Sequence, residues 1–450
     1  MLSSNVITLV YSFFSFIRDT LVIILLFATG LFLSVKTGFI QIRKFPAMLK
    51  YTAGSLFKRS QTIDSKNIVS PFKAVSTALG ATIGTGSIAG IATAIVAGGP
   101  GAIFWMWVSA FFGMATKYCE ILLSIKFRHK TKDGKWTGGP MYYIEKGLNA
   151  PKLAIVFAIL TAVSCFGTGN TIQSNSISEA LFSSPLCIDK VFTAKLLTCI
   201  TAWVILGGMK RIMSINEKLV PFMAVFYIGS AVAVLFINKS KIPDAFNAIF
   251  SGAMNIKSVG GGVCGYGMLT AIKTGFSKGI LSNEAGLGSA PIAHGASDAT
   301  EARIHGFWGM FEVFFTTIVI CTLSALVVLT SGLWESSPLN GSALSAASFD
   351  SAIRGGGIVV TVSTVLFALS SILGWAYYGE VSISYLSKGR FPALLWAYRI
   401  IYVCTVYIGA VMSLEKVWIF AETLNAVMAI PNLVGIIGLS NVVKKEIEKE

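Results

Sequence analysis

Apolar residues run along this chain in stretches near 20 residues, the length that crosses a bilayer as a helix, at 16–35, 70–98, 100–125, 153–182, 191–208, 217–237, 263–290, 305–331, 357–386, 393–413 and 416–440. The pattern predicts an all-α polytopic membrane protein with about 11 transmembrane helices. Two stretches are interrupted by glycine-rich polar sequence, GATIGTGSIAG at 80–90 and GFSKGILSNEAGLGSAP at 275–291. A helix that unwinds in hydrocarbon frees backbone N–H and C=O groups, so such a break survives only where protein, ions or a ligand satisfies them. Each break therefore marks a cavity.

Each broken helix also opens a set of five spans, and an odd number per set places the two sets in opposite membrane orientations. The expected architecture is a 5+5 inverted repeat preceded by one extra N-terminal helix. Interrupted helices at corresponding positions of two halves point to the midplane site of a secondary transporter. The chain divides into an extra helix and basic cytoplasmic loop (1–69), a first repeat (70–237), an extracellular amphipathic connection (238–262), a second repeat (263–440) and a cytoplasmic tail (441–450), all one membrane domain. In the connection, Ile242, Ala245, Phe246, Ile249 and Phe250 recur at helical spacing, which suits a helix lying in the interface.

Composition agrees with this class: 54% of residues are hydrophobic and 13% charged, against roughly 25% charged in soluble domains. The net charge of +15 would suit nucleic acid, but the basic residues lie between the spans and no nucleic-acid motif accompanies them. They face anionic lipid instead. With residues 36–73 inside, cytoplasmic loops carry about 24 Lys and Arg against about 8 outside, a positive-inside bias that puts the N-terminus outside and the C-terminus in the cytoplasm. The first apolar stretch has no basic n-region and no small-residue cleavage site, and reads as a retained helix. The seven cysteines are scattered without a CxxC pair, and the three histidines form no metal pattern. The chain holds no HExxH, and its one string with GxSxG spacing, GFSKG at 275–279, lies in an apolar stretch rather than at a strand-to-helix turn, which argues against a membrane-embedded enzyme.

Candidate chemistry gathers in four places. In the first break, Thr82, Thr85 and Ser87 alternate with Gly80, Gly84, Gly86 and Gly90. Half-helix N-termini there suit a substrate carboxylate and unwound carbonyls suit sodium; the plainer reading is a small-residue packing face at Gly86 and Gly90. In the second break, Ser282, Asn283, Glu284, Gly286, Gly288 and Ser289 precede Pro291. Glu284 is either a functional carboxylate or a structural pin for freed N–H groups. In CFGTGNTIQSNSISEA (165–180), Gln173 and Thr171 suit a zwitterion, Gln173, Ser176 and Ala180 share a face, and Asn170, Asn175 and Ser176 suit helix–helix hydrogen bonds. In LFALSSILGWAYYGE (366–380), Ser370 and Ser371 suit sodium or bond back to their own helix, and Trp375 suits the wall of a small pocket. Glu120, Glu312, Glu380, Arg399 and Glu422 fall within or near spans; Glu380 with Arg399 is read as a structural ion pair.

Several long strings, GTGSIAGIATAI, GGPGAIFWMWVSA, TGGPMYYIEKGL and above all LSNEAGLGSAPIAHGA, closely resemble the alanine or glycine:cation symporter family of the amino acid–polyamine–organocation superfamily, over about residues 70–440. The resemblance implies the leucine-transporter-like fold and sodium-driven uptake of alanine or glycine, with sodium as the coupling ion and no obligatory protein partner. It implies that the substrate lies between the breaks, its carboxylate at Thr82, Gly84, Thr85, Gly86 and Gln173, and its amine near Leu281 and Ser282. Ser371 falls beside the site and Trp375 at the family's pocket tryptophan. Where the family commonly reads GTGN, this chain has Ser87; Gly80 stands where Ser is frequent, and Leu281 where Phe is frequent. Cation ligands are expected around Thr82, Thr85, Ser370 and Ser371. Proton coupling through Glu284 is the competing mechanism, and a channel or receptor the competing class.

Overall fold

A computed structural model describes residues 20–56, 69–131, 133–254, 262–412 and 414–449. The first residues of the extra helix (16–19), part of the basic loop (57–68) and the end of the connection (255–261) lie outside the described residues, as does the side chain of Glu422. Every expected apolar stretch carries a helix: α1 (Val22–Lys36), the half-helices α2 (Pro71–Thr82) and α3 (Ala89–Gly98), α4 (Gly101–Phe127), α5 (Pro151–Phe182), α6 (Lys190–Ile205), α7 (Met209–Ile237), the connecting α8 (Ile242–Met254), α9 (Gly262–Asn283) with its continuation α10 (Ala290–His294), α11 (Ala302–Ser331), a shorter α12 (Gly341–Asp350), α13 (Gly356–Leu386), α14 (Pro392–Val411), α15 (Leu414–Gly438) and α16 (Ser440–Ile447). A two-stranded antiparallel ribbon pairs His129–Lys130 with Trp136–Thr137 in the loop after α4.

Among the described residues, six helices (α4, α5, α7, α11, α13 and α14) are individually long and apolar enough to cross a membrane, and the bent pair at 423–447 makes a seventh. The difference from about 11 has physical causes. The first break divides one span into α2 and α3, α6 is only 16 residues long, and α9 carries Lys273 and Lys278. Helix starts follow local chemistry: Pro71, Pro151 and Pro392 sit in first turns, where their missing N–H costs nothing. Ser70 caps α2 by accepting from Lys73 N.

The two broken helices pack against each other in opposite directions. The half before the first break, α2, touches the segment after the second, α10; the half before the second, α9, lies along α3. The chain before the first broken helix is tied to the chain after the second, where Asp298 N–H donates to Val69 O at 3.0 Å. Helix α4 is the common brace, packed along both α9 and α11. Close approach needs glycine at a few points: a Cβ on Gly374 of α13 would lie 2.6 Å from the Cβ of Ala81 on α2, and one on Gly169 would overlap the Trp375 side chain. Residues 167–171 of α5 form a π-turn there, a local widening common at functional sites.

Helix α8 lays Ala245, Ile249 and Ala253 inward, and Gly252 rests on the backbone of Gly101. Phe246 and Phe250 reach the Trp107 ring, so the amphipathic helix is seated on the start of α4. On the opposite flank, Arg399 of α14 grips Glu380 of α13 through both carboxylate oxygens, at 2.8 and 2.7 Å. Removing one partner of such a buried pair strands the other charge, at about 3–5 kcal/mol. Arg399→Gln is therefore expected to lower the melting temperature of the purified protein in detergent, and adding Glu380→Gln to restore part of the loss; equal melting of the single variant and wild type would contradict a bracing role.

Candidate functional site

The helix stops only where it must. Residues 83–88 separate α2 from α3 and contain a single 3-10 turn at 85–87, with Gly84 extended. Freed carbonyls of this gap are met by serine hydroxyls from other helices: Ser370 Oγ donates to Gly80 O at 3.0 Å, and Ser371 Oγ to Gly80 O and Ala81 O at 3.0 and 2.9 Å. Ser324 Oγ donates to Ser87 O at 2.7 Å and Ser345 Oγ to Ile88 O at 3.3 Å. On the donor side, Thr85 N–H and its hydroxyl both reach Gln173 Oε1, at 3.3 and 3.2 Å, while Gln173 Nε2 is held by Thr168 O at 3.1 Å. Ser176 Oγ, one turn further along α5, donates to Thr85 Oγ1 at 3.4 Å.

The second gap is narrower than its glycines suggest. Helix α9 continues through GFSKGILSN to Asn283, with Gly275 and Gly279 packed on α4, and only residues 284–289 are unwound. Charged and amide groups satisfy it. Lys117 Nζ, fully buried on α4, donates to Asn283 O at 3.0 Å, placing a cation at the negative end of α9. Glu120 Oε1 accepts from Gly288 N at 3.1 Å and from Asn432 Nδ2 at 2.6 Å, and the same amide donates to Gly286 O at 2.9 Å. Tyr143 OH donates to Asn432 Oδ1, fixing the amide's orientation. Ser124 Oγ closes the gap's far side on Pro291 O at 2.6 Å.

Glu284 occupies the left-handed region with φ +54°, which costs a non-glycine residue roughly 1 kcal/mol. Its carboxylate accepts from Ser289 Oγ at 2.5 Å and from Trp375 Nε1 at 3.1 Å. Between the gaps lies a small cavity lined by Thr82, Gly84, Thr85, Gly86, Gln173, Leu281 and Glu284, with Ala81, Thr168 and Ile172 completing the wall. A Cβ on Gly84 would lie 2.9 Å from Ser371 Oγ and 3.1 Å from Gln173 Nε2, so a methyl group there would push both of these side chains off their partners. Gly86 and Gly90 show no such crowding: the nearest atoms to a Cβ lie 3.9 Å away at Gly86 and beyond 4 Å at Gly90. The packing-face reading of those two glycines is not carried by the geometry.

Other expected residues sit behind the cavity. Ser371 and Ser370 address α2 carbonyls, and Trp375 backs Glu284 without lining the space; Thr82 lines the cavity but turns its Oγ1 back onto Ala78 O. Ser282 Oγ faces Cys321 Sγ at 3.0 Å, away from the cavity lined by its neighbour Leu281. Asn170 and Asn175 hold α14 through Tyr402 O, Gly409 O and Met412 O. Lys117, Asn432 and Thr168 were not among the sequence candidates. Lys117 had a signal, an ionisable residue in mid-span; Asn432 and Thr168 are ordinary polar residues whose roles come only from packing.

A chain of apolar helices, two of them broken where they cross and enclosing one shared cavity, is a multi-pass membrane transporter. Its fold is shared with a transporter titled MhsT in complex with L-phenylalanine (TM-score 0.54, 14% identity, 85% of this chain and 98% of that one) and with a manganese transporter of Eremococcus coleocola (TM-score 0.50, 14% identity, 86% and 81%). The sequence profile described as the sodium:alanine symporter family matches residues 3–449, and the chain belongs to that family. Its relatives include the sodium/alanine symporter AgcS of Methanococcus maripaludis, 45% identical over 98% of this chain and 96% of that protein. The probable sodium/glutamine symporter GlnT of Bacillus subtilis is 35% identical over 94% and 86%. The protein is accordingly a cation-coupled amino acid symporter and not an enzyme.

Because Glu284 satisfies two buried donors, Glu284→Ala leaves Trp375 Nε1 and Ser289 Oγ unpaired, about 1–3 kcal/mol for each. Glu284→Gln keeps an acceptor and should cost less. Thermal melts in detergent are expected to rank wild type, Glu284→Gln, then Glu284→Ala; equal loss in both variants would mean the charge itself, not its hydrogen bonds, stabilises the gap.

Proposed function

We propose that this chain carries a small neutral amino acid, alanine or glycine, into the cell together with sodium, by alternating access around the cavity between the two gaps. The observation that carries this reading is the joint lining of one cavity by both gaps and by Gln173, with hydroxyl, amide and backbone groups on one wall and Ala81, Ile172 and Leu281 on another. In this reading Thr85, the glycines at 84 and 86 and the Gln173 amide address the substrate carboxylate, beside the positive N-terminal end of α3. The ammonium faces the second gap, where the Glu284 carboxylate and the backbone near Leu281 and Ser282 offer acceptors. Trp375, locked between Glu284 and Gly169, limits depth and so side-chain size.

Sodium is the second substrate. Gly80 O and Ala81 O already converge with the Ser370 and Ser371 hydroxyls within about 3 Å, and an uncharged all-oxygen set suits a hard cation. The hydroxyls need only rotate to turn their lone pairs toward an ion. An ion there would pull α13 onto α2 and firm the wall that carries Gly84, so each ligand would tighten the other by the same factor. One bundle of helices rocks against the rest to expose the cavity inward, with the N-terminus outside, the C-terminus in the cytoplasm and basic loops against inner-leaflet lipid in the plasma membrane. Glu284 is committed to two internal donors, which favours sodium over protons as the driving ion. The names of relatives pair sodium with alanine in one case and glutamine in another, so pocket size decides the substrate; Leu281 and Ile172 leave little of it here.

Labelled alanine is expected to accumulate in proteoliposomes under an inward sodium gradient and not with choline in its place. Gln173→Ala should abolish that accumulation. Gly84→Ala, which drives a methyl group against Ser371 and Gln173, should weaken alanine binding at least tenfold, about 1.4 kcal/mol. Alanine binding indifferent to sodium, or uptake driven by a pH gradient alone, would overturn this assignment.

A further inference from the structure

Beneath the second gap lies a chain of titratable side chains that neither substrate needs. His305 Nε2 is 3.0 Å from His294 Nδ1, His294 Nε2 is 2.6 Å from Glu312 Oε1, and Glu312 Oε2 lies 4.0 Å from Lys117 Nζ, which in turn holds Asn283 O at 3.0 Å. All four side chains are at most 3% exposed. Both imidazole nitrogens of His294 are engaged, one by a carboxylate and one by another imidazole. Glu312 Oε2 has no hydrogen-bond partner, a buried acceptor left open.

The titratable and charged groups around this chain are Lys117, Tyr118 and Glu120 on α4, Arg128 just beyond it, Glu284 in the gap and Tyr378 on α13. The short helix Phe45–Tyr51, packed on α11, adds Lys50 and Tyr51, the latter stacked on Phe307. The only charged residue of the adjoining α2 is Lys73, which pairs with Glu217 away from the cluster. Charge balance then decides the matter. Three buried carboxylates, Glu120, Glu284 and Glu312, share one buried ammonium, Lys117. Uncompensated buried charge costs several kcal/mol per ion, so the cluster is most stable when it holds a proton. His294 is the base placed to hold it, bonded on one side to a carboxylate and on the other to His305; the loop 295–301 between the two histidines reaches solvent at Thr300 and Glu301.

We infer that His294 and Glu312 form a proton-binding site on the basic-loop side of the second gap, backed by His305, and that its occupancy sets how firmly the gap is closed. With His294 protonated, Glu312 is spent on the imidazolium, and Lys117 is left to Asn283 O. When the proton leaves for water, Glu312 keeps its negative charge and its open Oε2 draws Lys117, loosening the carbonyl at the end of α9. The site is a regulator of the opening step, distinct from the ion and substrate positions. It rests on the symport reading for its effect on transport, and on the proposed orientation for its cytoplasmic side.

The chain has only three histidines, so ¹⁵N-histidine labelling in lipid reads the site directly, whatever the protein carries. The expected result is a buried imidazole signal, absent in His294→Gln, that shows both the imidazolium and the neutral form as pH is varied from ~6 to ~8. A His294 signal fixed in one protonation state across that range would overturn the proposal, as would wild-type uptake indifferent to internal pH. In right-side-out vesicles with a constant external pH, sodium-driven alanine uptake should rise at least threefold, roughly, as internal pH goes from ~6 to ~8. The dependence should be lost in His294→Gln and in Glu312→Gln; a variant that keeps the wild-type profile would also overturn it. If neither variant folds, the wild-type spectrum and profile still decide. Absence of any sodium-driven uptake alongside a titrating His294 would instead retire the symport reading and leave the proton site standing.

Discussion

Backbone polar groups freed at two interrupted helices have to be satisfied inside the protein, because hydrocarbon offers them nothing. The rest of the structure is arranged around that demand. Helices α4, α5, α11, α12, α13 and α15 each send a side chain to one gap or the other: Lys117, Glu120 and Ser124 from α4, Gln173 from α5, Ser324 from α11, Ser345 from α12, Ser370 and Ser371 from α13, and Asn432 from α15. The crossing of the broken helices then leaves little room at some glycines. Gly84, Gly169 and Gly374 stand where a methyl group would collide with a neighbour.

The two gaps are satisfied by different chemistry. Around the first, the partners are neutral hydroxyls and one amide, each bond worth about 1 kcal/mol net. Such groups exchange partners cheaply. Around the second, the partners are an ammonium and carboxylates in a dry interior, where hydrogen bonds to charged groups are stronger and their loss more costly. On the proposed reading, the first gap is therefore the part that rearranges around ion and carboxylate. The second is the rigid wall, and moves only when its charges are rebalanced.

Much of this was legible in the residues. Apolar runs of spanning length gave helices over each expected stretch, and glycine clusters gave both gaps, because these signals depend on local composition and on the bilayer's thickness alone. Gln173 was legible too, as an amide sharing a face with Ser176 in an unusually polar span. The limits of the second gap were not: GFSKG looks like unwound sequence, yet Gly275 and Gly279 are helical glycines that let α9 lie close to α4. Nor were the partners of Lys117 and Asn432 visible, since they lie 166 and 146 residues away along the chain. His294 and His305 formed no metal pattern in the sequence and turned out to be enclosed and bonded to each other. Pairings of that kind are decided by how helices cross, which no local pattern encodes.

Trp375 shows how the separate demands meet in one residue. Its ring needs Gly169, because any larger residue at the π-turn of α5 would occupy the same space, and its indole N–H needs an acceptor, which Glu284 supplies. Glu284 in turn needs the left-handed backbone that the unwound gap provides, and Ser289 to share its charge. One side chain thus ties α5, α13 and the second gap into a single unit next to the cavity. Any movement that opens the cavity toward one side has to carry these elements together or break a buried hydrogen bond to a carboxylate. The small size of the enclosed space and the stiffness of its rear wall then have the same origin: the glycine, the indole and the carboxylate are each fixed by the other two.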